Sequence, residues 1–169
     1  MAVLNLKYGY LYLAEPETGS RSTVAALTGQ HDGSEIRGGH HASQWQILKS
    51  KMITPAELAS VITFSVVRNP LDILITRTLK GSKHSLIYNI SRYVNKRLFY
   101  KHYGCDRLLR YEDGLEDVIN EFFSNINAPP VHLDMIGKSE NKKPWHYYYT
   151  DIELEFARLL IPEIEAYGY

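Results

Sequence analysis

The segment Thr18–Thr23 (TGSRST) combines a glycine with hydroxyl side chains at a point where a strand is expected to give way to a helix. Lys7–Ala14 (KYGYLYLA) is rich in aromatic and aliphatic residues, which is typical of a strand, and a helix is expected from Thr23. Backbone N–H groups at a helix N-terminus attract an anion, and Ser and Thr hydroxyls add hydrogen bonds to it. An ordinary helix N-cap would use the same residue types, so both interpretations stay open.

An arginine follows a second expected strand, Val61–Val67 (VITFSVV), whose β-branched and apolar residues are typical of a strand buried on both faces. Arg68 comes directly after this strand, and Asp72 and Thr76 lie in a helix that is expected to open after Pro70. At the carboxyl edge of a sheet the guanidinium could hold a phosphate through two parallel hydrogen bonds. Pairing of Arg68 with Asp72 to close a turn is the alternative.

Charge is unevenly distributed along the chain, although the formal net charge is zero. Residues 68–110 contain ten Lys/Arg and two acidic residues, whereas residues 112–169 contain twelve acidic residues and four Lys/Arg. The zero net charge excludes a globally basic nucleic-acid binder, and the basic band at 68–110 suggests a small, highly anionic ligand or a polyanion. Two solvated faces of opposite sign would give the same counts.

Alternating strand and helix signals predict the fold class. Capping boxes predict helices after Thr54 and Thr150, and apolar residues at helical spacing predict a helix over Leu115–Ile126. Strand–turn–helix units that alternate in this way predict an α/β sandwich with a mostly parallel central sheet. No repeat or linker interrupts the 169 residues, so we expect a single domain over residues 1–169.

Five motifs occur in a fixed order along nearly the whole chain. They are PETGSRST (16–23), HHAS (40–43), VVRNPLDILIT (66–76), RYEDGLEDVINEFF (110–123) and KSENKKPWHYYYTDIELEFARLLIPEIEAYGY (138–169). Together they resemble the PAPS-dependent sulfotransferase family, in its carbohydrate-type branch, where PAPS is 3′-phosphoadenosine 5′-phosphosulfate. At 169 residues the chain would be a compact member of that family.

The resemblance implies a three-layer α/β sandwich with a P-loop-like nucleotide-binding topology and PAPS as the sulfuryl donor. The 5′-phosphosulfate would be held by the first motif, through Thr18, Gly19, Ser20, Arg21, Ser22 and Thr23. The 3′-phosphate would be held by Arg68 and Thr76, and Lys142 and Lys143 could reach it unless they form a solvated pair. A single nucleotide would then bridge the first turn and Arg68, and the acceptor would be a hydroxyl, in a carbohydrate.

The resemblance also identifies the positions that would decide activity. Glu17 stands where the family has a lysine that would neutralise the leaving phosphate oxygen, and Arg21 could take that role. His41 is the expected catalytic base and His40 the second choice, because imidazole titrates near neutrality, although a solvated loop would also explain the pair. Glu17 leaves open a catalytically silent relative that binds PAPS or adenosine 3′,5′-bisphosphate. The basic band leaves open a polyanion-binding module.

Other features exclude several classes of protein. The longest apolar runs fall far short of the roughly 18–20 residues needed to cross a bilayer, and no secretory signal is evident. Cys105 is the one cysteine, so it cannot form an internal disulfide, and no Cys/His spacing indicates a metal site. We therefore expect a cytoplasmic protein without a metal, a membrane span or a nucleic-acid partner.

Overall fold

The structure is a computed structural model that describes residues 1–36, 42–79, 85–96, 104–136 and 142–169, with only the backbone at 92, 93, 95 and 96. The chain forms two compact units. The first comprises residues 1–67 and 101–136, and the second comprises residues 68–100 and 137–169. The expectation of a single domain over 1–169 stays a prediction.

The first unit is built on a five-stranded sheet in which the strands lie in the order β3-β1-β2-β4-β5. The strands are β1 (Ala2–Asn5), β2 (Tyr10–Leu13), β3 (Ser34–Ile36), β4 (Ile62–Val67) and β5 (Arg107–Arg110). β2 pairs in parallel with β4, and β4 pairs in parallel with β5. β1 is antiparallel to both β2 and β3. The α/β class is confirmed, but the sheet is mixed, so the predicted mostly parallel sheet is wrong.

A hairpin at the start of the chain explains the difference. A strand was expected to begin at Lys7, but the first residues of that segment form the turn between β1 and β2. Gly9 in this turn adopts a positive φ of 69°. Asn5 stabilises this turn, because its side-chain oxygen accepts a 2.9 Å hydrogen bond from the Tyr8 N–H. β1 therefore turns back on β2, and antiparallel pairing follows from the short connection.

The part of the chain that the structure describes contains eight α-helices. They are α1 (Ser20–Gln30), α2 (Gln44–Lys49), α3 (Pro55–Ala59), α4 (Pro70–Leu79), α5 (Leu86–Lys96), α6 (Leu115–Asn125), α7 (Asp151–Leu160) and α8 (Glu163–Ala166). The capping boxes at Thr54 and Thr150 are confirmed, since each threonine side chain accepts from the backbone N–H three residues on. The predicted strand at Val61–Val67 and the helix after Pro70 are confirmed as β4 and α4.

Helices pack on both faces of the sheet in the first unit. Alternate residues of β2 point to opposite faces, as a strand requires. Tyr10 and Tyr12 pack with α1 and α6, whereas Leu11 and Leu13 pack with α2 and α3. All four of these side chains are completely buried, which explains why the β2 segment is apolar and aromatic throughout.

The second unit is helical in its described residues. α4, α5, α7 and α8 surround an aliphatic core to which Leu74, Ile90, Ala157 and Ile164 contribute. Pro162 lies between the last two helices, since α7 ends at Leu160 and α8 begins at Glu163. Among the described helices of both units, none is both long and apolar enough to cross a membrane.

Candidate functional site

The turn between β2 and α1 is held in a conformation that only a few residue types adopt. Gly19, the N-cap of α1, has a left-handed φ of 73°. A Cβ atom at this position would lie 2.4 Å from Leu115 Cδ2, so glycine is required both by backbone conformation and by space. Because Gly19 has no side chain, it cannot cap the first N–H groups of α1, and these have no acceptor within the helix.

Two of the predicted anchors are already used by the turn itself. The Thr18 hydroxyl donates to the Glu15 carbonyl at 2.9 Å, and the Thr23 hydroxyl donates to the Gly19 carbonyl at 3.2 Å. Both threonines are buried. In this conformation the two hydroxyl protons form hydrogen bonds within the loop. Thr18 and Thr23 therefore contribute to an anion site by fixing the shape of the loop.

The other predicted anchors of the turn lie in the first turn of α1. Ser20 and Ser22 are buried, and Arg21 is exposed. The Ser22 oxygen accepts a 3.0 Å hydrogen bond from the Ile136 N–H. The first turn of α1 contains no acidic residue, so the positive end of the helix dipole is not offset from within the helix. The segment is therefore chemically suited to an anion.

A buried phenol lies beneath the same turn. The Tyr12 side chain is completely buried, and its hydroxyl makes no hydrogen bond among the described residues. Burial raises the pKa of Tyr12, and the neighbouring hydroxyls of Thr23 and Thr18 oppose that shift. The phenol is therefore neutral and lies beside two loop side chains, and no sequence pattern distinguishes Tyr12 from the other tyrosines.

In the second unit, the structure brings three predicted anchors together around one carboxylate. Arg68 Nη2 forms an ion pair with Asp72 Oδ2, and Lys142 Nζ lies 2.5 Å from Asp72 Oδ1. Lys142 Nζ also donates to Thr76 Oγ1 at 2.8 Å, across 66 residues of sequence. The Thr76 hydroxyl donates in turn to the Asp72 carbonyl at 2.9 Å. We call Arg68, Asp72, Thr76 and Lys142 the cation cluster.

The charged side chains of the cation cluster are largely buried, so solvent screens their interactions weakly. The side chains of Arg68, Asp72 and Lys142 are 15%, 16% and 10% exposed. Two cations share one carboxylate in a place where solvent screens charges poorly. The sequence left open whether Arg68 pairs with Asp72 or binds a phosphate, and the pairing is present.

The beginning of α4 sets the cation cluster in place. Asn69 caps this helix, because its side-chain oxygen accepts from the Leu71 N–H at 2.9 Å, and Pro70 takes the first helical position. The Tyr149 hydroxyl donates to the Leu71 carbonyl at 2.9 Å. This hydrogen bond fixes the segment that follows the 3₁₀ helix Trp145–Tyr147 against α4. Burial raises the pKa of Tyr149, and the charge of Asp72 adds to the shift.

Lys143 does not join the cation cluster. Its backbone N–H donates to the Tyr148 hydroxyl at 3.0 Å, and its ammonium lies 5.8 Å from the Tyr147 ring centroid. The predicted base His41 and its alternative His40 lie outside the described residues. Within the described residues no group of three or more His, Cys, Asp or Glu side chains could hold a metal ion.

One buried histidine that the sequence did not single out is part of the core. His31 Nδ1 lies 3.0 Å from the Tyr10 hydroxyl, and Nε2 lies 2.8 Å from the Pro129 carbonyl. Burial lowers the pKa of His31, so the ring is neutral, with Nε2–H donating and Nδ1 accepting. Its role is structural.

Four residues that position the candidate site were not predicted from the sequence. They are Asn69, which caps a helix, Tyr12, Tyr149 and Ile136. The Asn-Pro pair after a strand is a recognisable helix start, but no spacing relates Tyr149 or Ile136 to the segments they contact. The chain matches no protein-family model, and no curated protein or solved structure matches it either.

Proposed function

We propose that this chain is a PAPS-dependent sulfotransferase that moves a sulfuryl group to a hydroxyl of a carbohydrate-like acceptor. The observation that carries the proposal is the cation cluster. Arg68, Thr76 and Lys142 come from distant segments and meet around Asp72. These are three of the four residues that the resemblance to sulfotransferases assigns to the 3′-phosphate.

The cation cluster has the chemistry that a phosphate monoester needs. Arginine offers a planar fork of N–H donors and lysine a compact charge, and both groups bind phosphate oxygens. The carboxylate holds both cations at fixed positions, which reduces the ordering that a ligand must impose on them. A phosphate would therefore find two cations already placed.

The turn before α1 supports the other half of the proposal. Its first N–H groups, the Ser22 hydroxyl and Arg21 would hold the 5′ anion. β2 and β4 are parallel neighbours, so their carboxyl ends lie at the same edge of the sheet, and a P-loop-like topology would use that edge. We propose that this turn holds the 5′ end of the donor nucleotide.

The reaction itself needs little covalent chemistry from the protein. The bond between sulfur and the 5′-phosphate oxygen breaks while the acceptor oxygen bonds to sulfur, and the hydroxyl proton passes to a base, for which we propose His41, or His40 in its place. By analogy with phosphoryl transfer, alignment and electrostatic stabilisation supply most of the rate. Arg21 would neutralise the charge that develops on the leaving oxygen.

Calorimetric titration with adenosine 3′,5′-bisphosphate tests the nucleotide site. We expect one molecule to bind per chain, and Lys142→Ala to weaken binding roughly tenfold or more, because a charge-assisted hydrogen bond is lost. Lys143→Ala is the matched control and should bind like the natural protein, because its ammonium faces Tyr147. Equal affinity of the two variants would contradict the assignment of the cation cluster.

Glu17 favours a second candidate, a silent relative that binds the nucleotide without turnover. Its half-buried carboxylate lies in the turn that would hold the 5′ anion, and like charges repel. An assay with labelled PAPS over a panel of acceptors separates the two candidates. Turnover by the natural protein that is lost in His41→Ala supports the enzyme, whereas turnover only in Glu17→Lys supports the silent relative.

A polyanion-binding module would give a different result. Of the basic band at 68–110, the structure describes the side chains of Arg68, Arg77, Arg107 and Arg110. Binding to heparin or RNA without any affinity for the bisphosphate would overturn both nucleotide-binding candidates.

A further inference from the structure

Side-chain hydrogen bonds hold a segment of the first unit that is neither helix nor strand. Asn120 in α6 binds Val131 with both ends of its amide, accepting from the N–H at 2.8 Å and donating to the carbonyl at 3.0 Å. Gln30 in α1 binds His132 in the same way, at 2.9 Å and 2.7 Å. We call residues 131–136 the strap.

A further hydrogen bond fixes the strap at its middle. Glu116 accepts a 2.8 Å hydrogen bond from the Leu133 N–H, which lowers the pKa of this carboxyl group. Val131 and Leu133 are buried in the core, whereas His132 and Asp134 between and beyond them are exposed. The strap thus has the alternation of a strand, and amide and carboxylate side chains take the place of its partner.

The strap ends at the first turn of α1. The Ile136 N–H donates to Ser22 Oγ at 3.0 Å. A serine oxygen that accepts a hydrogen bond must direct its own proton elsewhere, because the hydroxyl has one proton and two lone pairs. Among the described residues no acceptor takes the Ser22 proton. The contact with Ile136 therefore leaves a nearly buried hydroxyl oriented as a donor.

We infer that the strap is a positioning element for the 5′ anion, in which the Ile136 backbone N–H holds the Ser22 hydroxyl ready to donate to the bound phosphate or sulfate. This inference rests on the proposed function, since it assumes that the turn before α1 holds the 5′ end of the nucleotide. Ser22 would contact the ligand, and Ile136 would act through Ser22.

A separate observation places a second buried hydroxyl at the same turn. The Tyr12 hydroxyl is completely buried beside Thr18 and Thr23, and it has no hydrogen-bond partner among the described residues. A buried donor without an acceptor is costly, and native structures usually satisfy such a group with water or a ligand. Two buried donors, from Tyr12 and Ser22, are therefore available at one end of α1.

Removal of a single backbone N–H tests the inference. Ile136→Pro deletes the donor, whereas Ile136→Ala keeps the N–H and removes only an exposed side chain. We expect Ile136→Pro to bind adenosine 3′,5′-bisphosphate roughly three- to tenfold more weakly than Ile136→Ala. Ser22→Ala should lose at least as much, and the double variant Ser22→Ala/Ile136→Pro should lose no more than Ser22→Ala.

A second ligand separates positioning from general damage. Adenosine 3′-monophosphate lacks the 5′ anion, so its affinity should be the same for Ile136→Pro and Ile136→Ala. Equal loss for both ligands, or equal bisphosphate affinity of the two variants, would overturn the inference while leaving the proposed function in place. If the natural protein binds neither nucleotide, the proposed function itself fails.

A milder variant covers the case in which Ile136→Pro does not fold. Asn120→Ala releases the strap at Val131, far along the chain from Ser22, and leaves every atom of the turn before α1 in place. We expect the same selective loss of bisphosphate affinity, with a smaller factor of roughly two to three. Unchanged bisphosphate affinity in a folded Asn120→Ala protein would count against the strap.

Discussion

The two candidate anion-binding groups are built in opposite ways. The turn at Thr18–Thr23 is contiguous in sequence, and its binding groups are mostly backbone N–H groups at the beginning of α1. The cation cluster consists of side chains, and Lys142 joins it from 66 residues beyond Thr76. A site made of backbone depends on conformation, so it is sensitive to space and dihedral angles. A site made of side chains depends on charge balance.

The largest expected effect follows from the conformation of Gly19. We predict that Gly19→Ala lowers the free energy of unfolding by about 3 kcal/mol, because alanine is strained at this positive φ and its methyl group would collide with Leu115. Urea denaturation measures the change. Gly29→Ala is the control, since Gly29 lies inside α1 with nothing near its missing Cβ, and alanine there should stabilise by up to about 1 kcal/mol.

If Gly19→Ala unfolds at the same urea concentration as the natural protein, the turn is not fixed by its backbone and the comparison fails. A partial rescue in Gly19→Ala/Leu115→Ala would sharpen it, because that pair separates the steric contribution from the dihedral strain.

A smaller effect is expected from changing the charge balance of the cation cluster. Asp72→Asn leaves Arg68 and Lys142 without their shared carboxylate, and we predict a loss of about 2 kcal/mol in the free energy of unfolding. Asp113→Asn is the control, because Asp113 faces Arg110 at 3.9 Å in an exposed pair worth less than about 1 kcal/mol.

Inorganic sulfate should restore part of the stability that Asp72→Asn loses, because an anion that binds only the folded chain stabilises it. The melting temperature with and without sulfate, at constant ionic strength, checks this outcome. An equal response of the natural protein and Asp72→Asn to sulfate would show that the cluster does not select anions.

The pH dependence of the free energy of unfolding tests the role of His31, which lies in the first unit together with the turn before α1. His31 is buried, and its pKa is lowered mainly by that burial. As pH falls below about 6.5, the unfolded chain binds a proton at this residue before the folded chain does, so the free energy of unfolding falls. His31→Gln should therefore be less stable near neutral pH, by about 1 to 2 kcal/mol, and show a flatter pH dependence between about pH 7.5 and about pH 5.5.

His146→Gln is the control for the titration, because His146 is exposed. It should leave the free energy of unfolding near neutral pH unchanged, because its side chain is exposed. A His31→Gln protein whose stability falls as steeply as that of the natural protein would show that another group titrates in this range.

The smallest expected effect concerns Glu17. This residue has a left-handed φ of 64°, where glycine is less strained than glutamate. We predict that Glu17→Gly raises the free energy of unfolding by up to about 1 kcal/mol. Glu35→Gly, in β3, should lower it by a similar amount, because glycine is unfavourable within a strand. A loss of stability in both variants would mean that the carboxylate of Glu17 contributes more than its backbone costs.

The sequence was most informative where the signal is local. The apolar run of β4, the capping boxes of α3 and α7, and the spacing of α6 each depend on neighbouring residues, so each element was predicted. β1 has only four residues, and nothing within Ala2–Asn5 reveals that it folds back on β2. Strand direction depends on such pairing, which is why the mixed sheet was not foreseen.

The candidate site likewise contains some contacts that local sequence predicts and others that it does not. Arg68, Asp72 and Thr76 share one helix start, so their neighbourhood follows from spacing. The contacts of Lys142 with Asp72 and Thr76, and of Ile136 with Ser22, close long loops of chain, and no local pattern encodes them. Their sequence separations of 66 and 114 residues place them beyond the range of periodicity and capping signals.

The outer strands of the sheet bear on how the protein behaves at high concentration. β3 has three residues, of which Ser34 and Glu35 are exposed, and β5 begins and ends with an arginine. A short strand offers few unpaired groups to another molecule, and charged residues on an edge oppose aggregation. The sheet is therefore protected against growing by the addition of a strand from a neighbouring molecule.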